Sequence, residues 1–157
     1  MDPIGAAASI LTLVETSIAT FKIIDRLICS YRHAPAELLS LKHELYGLFS
    51  QLILLKQIET YVSYTTLQVA EEEFSHLARF LRSTTQFYIS IRDFFTQQTL
   101  RDGKSGRVKW ALSTSRKVAK WKQDVQHHSL DLAQIMVLLN VPVTTMQIEY
   151  CEILIVA

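Results

Sequence analysis

Residues 38–55 read LLSLKHELYGLFSQLILL, and leucines recur in this stretch at alternating steps of three and four. Such steps place side chains on one face of an α-helix, which then packs against neighbouring helices. The seam consists of Leu38, Leu41, Leu45, Leu48, Leu52 and Leu55. Four side chains beside it are expected to widen the buried face: Leu39, Tyr46, Phe49 and Ile53. The stretch therefore predicts a long helix that begins at Pro35 and ends near Glu59.

The segment before this helix has the same period. Asp2-Pro3 suits a helix start, and Pro35 disfavours helical backbone just before it, so the first helix is expected to end between Tyr31 and Ala34. Its predicted apolar stripe is Ile4, Ala7, Leu11, Val14, Ile18, Phe21 and Ile28, widened by Ile10, Leu13, Ile24 and Leu27.

Two more helices are predicted downstream. The third opens at the acidic triplet 71–73, which suits the positive end of a helix dipole. Its seam is Phe74, Leu77, Leu81, Tyr88, Ile91 and Phe95, and a second stripe at Phe80, Phe87 and Phe94 predicts two packing neighbours. The fourth follows a glycine-containing break at residues 100–107 and ends at Pro142. Its seam is Val118, Trp121, Val125, His128, Leu132, Ile135 and Leu139.

Composition agrees with an all-α fold. The chain has 157 residues, a length typical of one domain, and 49% of them are hydrophobic. Four glycines and three prolines are too few for the turns of a sandwich or barrel. The prediction is a single four-helix (to five-helix) bundle of long antiparallel helices over residues 1–140. Residues 141–157 form a tail to which no element is assigned.

Charge and targeting signals narrow the class of protein. A formal charge of +1 gives no net field for nucleic acid, and two cysteines indicate a reducing compartment rather than a disulfide scaffold. Asp2 stands where a secretory signal has a base. Glu15 ends the first apolar run well short of the roughly 20 residues that a membrane span needs. A cytoplasmic protein without a nucleic-acid partner is predicted.

The sequence shows no catalytic constellation. His127 and His128 diverge around a helix, so one surface and one half-buried histidine are expected. Cys29 and His33 are four residues apart, but Cys29 lies on or near the apolar stripe, where a thiol is inert. Residues 102–106 contain Gly-Lys-Ser without the earlier glycine of a phosphate-binding loop. We therefore predict no enzyme, no cofactor or metal and no small-molecule substrate.

One segment is strongly basic. Eight of the sixteen lysines and arginines lie between residues 101 and 122. The candidate basic patch is Arg107, Lys109, Arg116, Lys117, Lys120 and Lys122. Such a patch binds anionic lipid, a nucleic-acid backbone or an acidic partner, or is an ordinary solvated face. Trp110 and Trp121, which lie within this segment, are expected to be core anchors.

Three motifs carry a resemblance to a known group: MDPIGAAASI at residues 1–10, Ala-Pro-x-Glu-Leu at residues 34–38 and Val-Lys-Trp-Ala-Leu at residues 108–112. With the leucine-rich second helix, they resemble the N-terminal domain of fungal STAND proteins, the NACHT-type, NLR-like group. That domain is also known as the azaphilone pigment cluster protein L N-terminal domain and borders the HeLo-like domains. The similarity covers residues 1–140.

The resemblance implies a non-catalytic signalling or effector bundle. HeLo-like relatives act in heterokaryon incompatibility and programmed cell death, with an apolar first helix implicated in membrane attack. Here Ile10, Leu13 and Val14 would face lipid after oligomerisation, which would make the protein peripheral to an anionic membrane on activation. The alternative is a structural module that associates with itself or with a partner protein and is indifferent to lipid.

Overall fold

The computed structural model describes residues 3–31, 34–62, 71–101 and 112–138, nearly all of which are helical. Four helices make up this part: α1, Pro3–Ser30; α2, Ala36–Val62; α3, Glu71–Arg101; and α4, Leu112–Leu138. They pack against one another, and no strand occurs among the described residues, which confirms the all-α bundle. The predicted helix end at Pro142 and the tail 141–157 lie outside the described residues.

Pro35 separates α1 from α2. The backbone N–H of Tyr31 donates to the carbonyl of Ile28 at 3.1 Å and closes the last turn of α1. The carbonyl of Pro35 accepts the first hydrogen bonds of α2, from Leu38 at 3.0 Å and Leu39 at 3.2 Å. Because proline has no N–H to leave unpaired and its φ already suits a helix, it starts α2 without disrupting it.

α1 and α2 are antiparallel, as predicted, and so are α3 and α4. The contacts that show this are Asp25–Lys42 and Phe21–Phe49 between α1 and α2, and Phe87–His128 and Phe94–Trp121 between α3 and α4. In each pair the residue numbers rise on one helix as they fall on the other, so the two helices run in opposite directions.

The most extensive packing, however, joins parallel helices. α1 packs mainly against α3, and α2 mainly against α4. Thr12 and Leu81 line one groove, and Thr20 approaches Tyr88, so α1 and α3 run in the same direction. Around the bundle the order is α1, α2, α4, α3. In an up-down bundle arranged in chain order every neighbour is antiparallel. Here α2 and α3 lie on a diagonal instead.

The seam of α2 is confirmed. All six leucines of residues 38–55 at seam positions are buried. Phe49 packs against the core as a partly buried side chain. Leu39 and Tyr46, by contrast, are 47% and 42% exposed, so the prediction that they widen the buried face is wrong. α2 contacts only α1 and α4 closely, and these two residues point away from both the core centre and α4.

The buried face of α1 is rotated from the predicted stripe. Leu11 and Ile18 are 45% and 40% exposed, so their placement in the stripe was wrong. The buried seam is Ile10, Leu13, Ser17, Thr20, Ile24 and Leu27, flanked by the buried Val14 and Phe21; of these residues only Ser17 and Thr20 were not predicted. The seam keeps the alternating steps of three and four. Two of its positions are Ser17 and Thr20, and a search for apolar residues alone does not include them.

Three hydroxyl groups inside the core, those of Ser17, Thr20 and Tyr88, have hydrogen-bond partners. Ser17 and Thr20 donate to carbonyls one turn earlier in α1, each at 2.8 Å. The hydroxyl of Tyr88 on α3 crosses the diagonal and donates to the carbonyl of Leu45 on α2 at 3.2 Å. Burial raises the pKa of Tyr88 well above its usual value, so the phenol stays a neutral donor. Tyr88 therefore ties α3 to α2 across the centre of the bundle.

Candidate interaction surface

The predicted lipid-facing residues of α1 lie in the core. Ile10, Leu13 and Val14 are each at most 5% exposed. Ile10 and Leu13 belong to the apolar cluster to which all four helices contribute. In the folded bundle these three residues are therefore not accessible to lipid, because their apolar side chains pack in the core and stabilise the position of α1. Contact with lipid or a partner through them stays a prediction and requires α1 to leave the bundle.

Three of the six candidate basic residues meet between α3 and α4. They surround a groove of about 510 Å³, which we call the basic groove. Its lining residues are Phe94, Gln98, Thr114, Arg116, Lys117 and Lys120. Arg107 and Lys109 lie outside the described residues. The helical period explains the convergence, since residues three and four apart in α4 share one face.

The groove combines positive charge with an aromatic wall. The Lys117 ammonium lies 4.4 Å from the ring centroid of Phe94, a cation–π contact. Arg116 and Lys120 are exposed and make no ion pair with any residue of the described ranges. Lys122 belongs elsewhere, because its Nζ lies 3.3 Å from Glu44 Oε1 on α2. Among its four described residues the predicted patch is thus divided: Lys122 is paired with Glu44, and Arg116, Lys117 and Lys120 have no carboxylate partner within the described ranges.

Trp121 supports the groove from the core side. Its ring centroid lies 5.2 Å from that of Phe94 and 5.6 Å from that of Phe95, both edge-to-face. The indole is nearly fully buried, which confirms the prediction that Trp121 anchors the core. Trp110 lies outside the described residues. Phe94 therefore stands between a buried indole and an exposed ammonium, and its position depends on Trp121.

His128 is a half-buried titratable group in the α3–α4 interface. Its Nδ1 lies 3.0 Å from Thr84 Oγ1, and its ring is flanked by Phe80 and Phe87. Burial lowers the pKa of His128 below its ordinary value of 6.5, although the negative charges of Asp124 and Asp131 oppose the shift. A neutral imidazole is the form that this interface accommodates.

We expect the bundle to lose stability as the pH falls through about 6.5. Unfolded His128 takes up a proton at its ordinary pKa, whereas the folded residue does so only at lower pH. Stabilisation by the neutral ring is therefore complete above 6.5 and is lost on acidification. Urea unfolding measured across this range should show a steeper pH dependence for the wild-type chain than for His128→Gln. Equal slopes in the two proteins would contradict the assignment.

A second groove, between α2 and α4, was not anticipated. Its volume is about 670 Å³, and Glu44, Gly47, Gln51 and Leu130 contribute to its lining. Glu44 Oε2 and Gln51 Oε1 are buried and receive no hydrogen bond from the described part of the chain. Polar residues beside a leucine seam are usual in an amphipathic helix. The sequence therefore does not indicate that Glu44 and Gln51 have buried acceptors without a hydrogen bond.

The described residues contain no group of three histidine, cysteine or carboxylate side chains that could hold a metal ion. Cys29 is exposed, so its predicted burial on or near the apolar stripe was wrong: it lies on the outer side of α1. His33 lies outside the described residues. His127 is exposed and His128 half-buried, as predicted.

Comparisons of the chain with protein-family models, curated proteins and solved structures find no match. No helix within the described ranges is both long enough and apolar enough to cross a membrane.

Proposed function

We propose that the chain is a non-catalytic helical module of the signalling or effector type, and that it binds an anionic membrane surface through the basic groove. The observation that carries the proposal is the set of three cations, Arg116, Lys117 and Lys120, around a groove with an aromatic wall. None of the three has a carboxylate partner among the described residues. Unpaired cations beside apolar surface suit lipid headgroups above an acyl region.

The membrane-attack role that the resemblance implies is a later step of the same proposal. Ile10, Leu13 and Val14 are buried, so these three side chains reach lipid only after α1 separates from α2 and α3. Separation exposes a seam that includes several fully buried apolar side chains, and the burial of each one stabilises the folded bundle by about 1.5–3 kcal/mol. Binding through the basic groove needs no such rearrangement and is therefore the step to test first.

The test is binding of the full chain to vesicles of phosphatidylserine and phosphatidylcholine, compared with phosphatidylcholine alone. Lys117→Glu with Lys120→Glu is expected to weaken binding to the anionic vesicles by at least about 30-fold, because the two lysines together contribute about 2 kcal/mol near an anionic surface and the two glutamates add repulsion. Added salt should weaken wild-type binding in the same direction.

A matched control is available on α3. Arg79→Glu with Arg82→Glu reverses two exposed charges outside the basic groove and changes the net charge by the same amount. This control should bind anionic vesicles far better than the groove variant. Equal losses in the two variants, or equal wild-type binding to neutral vesicles, would refute a role for the groove.

A structural protein-interaction module is the second candidate. The observation in its favour is the exposed apolar surface on α1 and α2, where Leu11, Ile18, Leu39 and Tyr46 are all more than a third exposed. Exposed apolar residues that group on one side of a protein mark interaction sites more often than scattered ones do. This candidate predicts association that does not need lipid.

A further inference from the structure

The four exposed apolar residues just named lie on one side of the bundle, which we call the outer α1/α2 face: Leu11, Ile18, Leu39 and Tyr46. Within each helix the two members are seven residues apart, so they share a helical face. Tyr46 stacks on Phe21 of α1 with ring centroids 4.2 Å apart, which brings the exposed edge of α2 beside α1.

Opposite charges alternate with the apolar residues of α1. Glu15 lies four residues after Leu11 and three before Ile18, and Lys22 lies four residues after Ile18. Both charged side chains are exposed, and neither forms an ion pair within the described ranges. The nearby Asp25, in contrast, is already paired with Lys42 of α2. The unpaired charges on this face include one acid and one base, Glu15 and Lys22, placed almost symmetrically about Ile18, and a further exposed base, Arg26, one turn after Lys22.

We infer that a second copy of this chain packs on the outer α1/α2 face, with the two α1 helices antiparallel and Glu15 of each copy paired with Lys22 of the other. An antiparallel arrangement centred between Ile18 and Ala19 brings both ion pairs into register. A parallel arrangement in register would set Glu15 against Glu15 and Lys22 against Lys22. Charge complementarity therefore selects the antiparallel pair.

The same arrangement places apolar surface at the centre. Ile18 of each copy lies beside the two-fold axis. Tyr46 lies about one helical turn further from the axis, where it stacks on Phe21. Leu11 lies opposite the long aliphatic stem of Arg26 of the second copy. An isologous contact of this kind closes on itself as a dimer rather than growing into a filament. In this dimer the partner that the second candidate function requires is another copy of the chain, and the basic groove is not part of the contact.

The first test is sedimentation equilibrium of the full chain without lipid. We expect a reversible dimer for the wild-type chain and a monomer for Ile18→Glu, because the substitution places two like charges at the axis. The matched control is Leu130→Glu, which changes an exposed leucine of α4 and should leave the dimer intact. Circular dichroism on each variant establishes that it is folded.

A charge-swap experiment tests the register. Glu15→Lys and Lys22→Glu should each weaken self-association by about tenfold, since each turns both ion pairs into repulsions. Mixing the two variants should restore association as a 1:1 heterodimer, because every contact then joins opposite charges. The double variant Glu15→Lys/Lys22→Glu should likewise dimerise. A monomeric wild-type chain, or a mixture that associates no better than its components, would overturn the inference. Because lipid is absent, this outcome is independent of the vesicle experiment.

Discussion

Replacing Leu13 by alanine is expected to lower the free energy of unfolding by about 3–5 kcal/mol. Leu13 is fully buried in the cluster shared by all four helices. Truncation removes the transfer free energy of the lost carbon atoms and leaves a cavity that rigid helices fill only in part. The measurement is urea unfolding followed by circular dichroism at 222 nm. A change of this size is a large fraction of the stability of a typical domain.

The same helix supplies the control. Leu11→Ala makes an identical chemical change two residues earlier, at a side chain that is 45% exposed. We expect it to cost well under about 1 kcal/mol, as is usual at surface positions. Together the two variants show which face of α1 is buried in the core. Similar losses for both, or a larger loss for Leu11→Ala, would mean that the buried face of α1 is not the one described here.

The same burial bears on the membrane-attack hypothesis. Replacing Leu13 and Val14 by aspartate would place two carboxylates in the core, and buried unpaired charge is strongly destabilising. Loss of lipid activity in that variant would therefore report unfolding rather than loss of a lipid contact. A variant on the exposed side of α1, such as Leu11→Asp, leaves the core unchanged and therefore tests whether the outer side of α1 contacts lipid while the bundle stays folded.

α1 also shows what the sequence could and could not predict. The stripe through Leu11 and Ile18 and the seam through Leu13 and Thr20 both have alternating steps of three and four. Apolarity favours the first, because the second contains Ser17 and Thr20. Their hydroxyls are satisfied by carbonyls within α1, so burial costs little. For α2 only one face carries the leucine seam, and the prediction of that seam was correct, although Leu39 and Tyr46 beside it are exposed.

The basic groove was predictable only in part. The clustering of positive charge in residues 101–122 is visible in the sequence, and so is the proximity of Lys117 and Lys120 on one helix. The role of Phe94 depends on the pairing of α3 with α4, which sequence spacing does not give. The separation of Lys122 has the same origin, because Glu44 reaches it only through the parallel packing of α2 and α4.

Replacing Trp121 by alanine is expected to lower the free energy of unfolding by about 3–5 kcal/mol, the usual range for a buried aromatic residue. The indole makes edge-to-face contacts with both Phe94 and Phe95 and is 7% exposed. Trp121→Phe keeps an aromatic ring in the cavity and should cost less than half as much. Thermal and urea unfolding of both variants give the comparison, and equal losses would mean that a phenyl ring in this cavity recovers none of the stability that the indole contributes.

The Trp121 variants also link the core to the basic groove. Phe94 packs against Trp121 on one side and lies under the Lys117 ammonium on the other. In a double-mutant cycle, Trp121→Phe and Phe94→Leu should be coupled by about 0.5–1.5 kcal/mol. If the groove binds anionic lipid, Trp121→Phe should also weaken vesicle binding under conditions where the variant stays folded, although Trp121 does not line the groove. Coupling without any change in binding would mean that the charges act alone and that the aromatic wall serves only the fold.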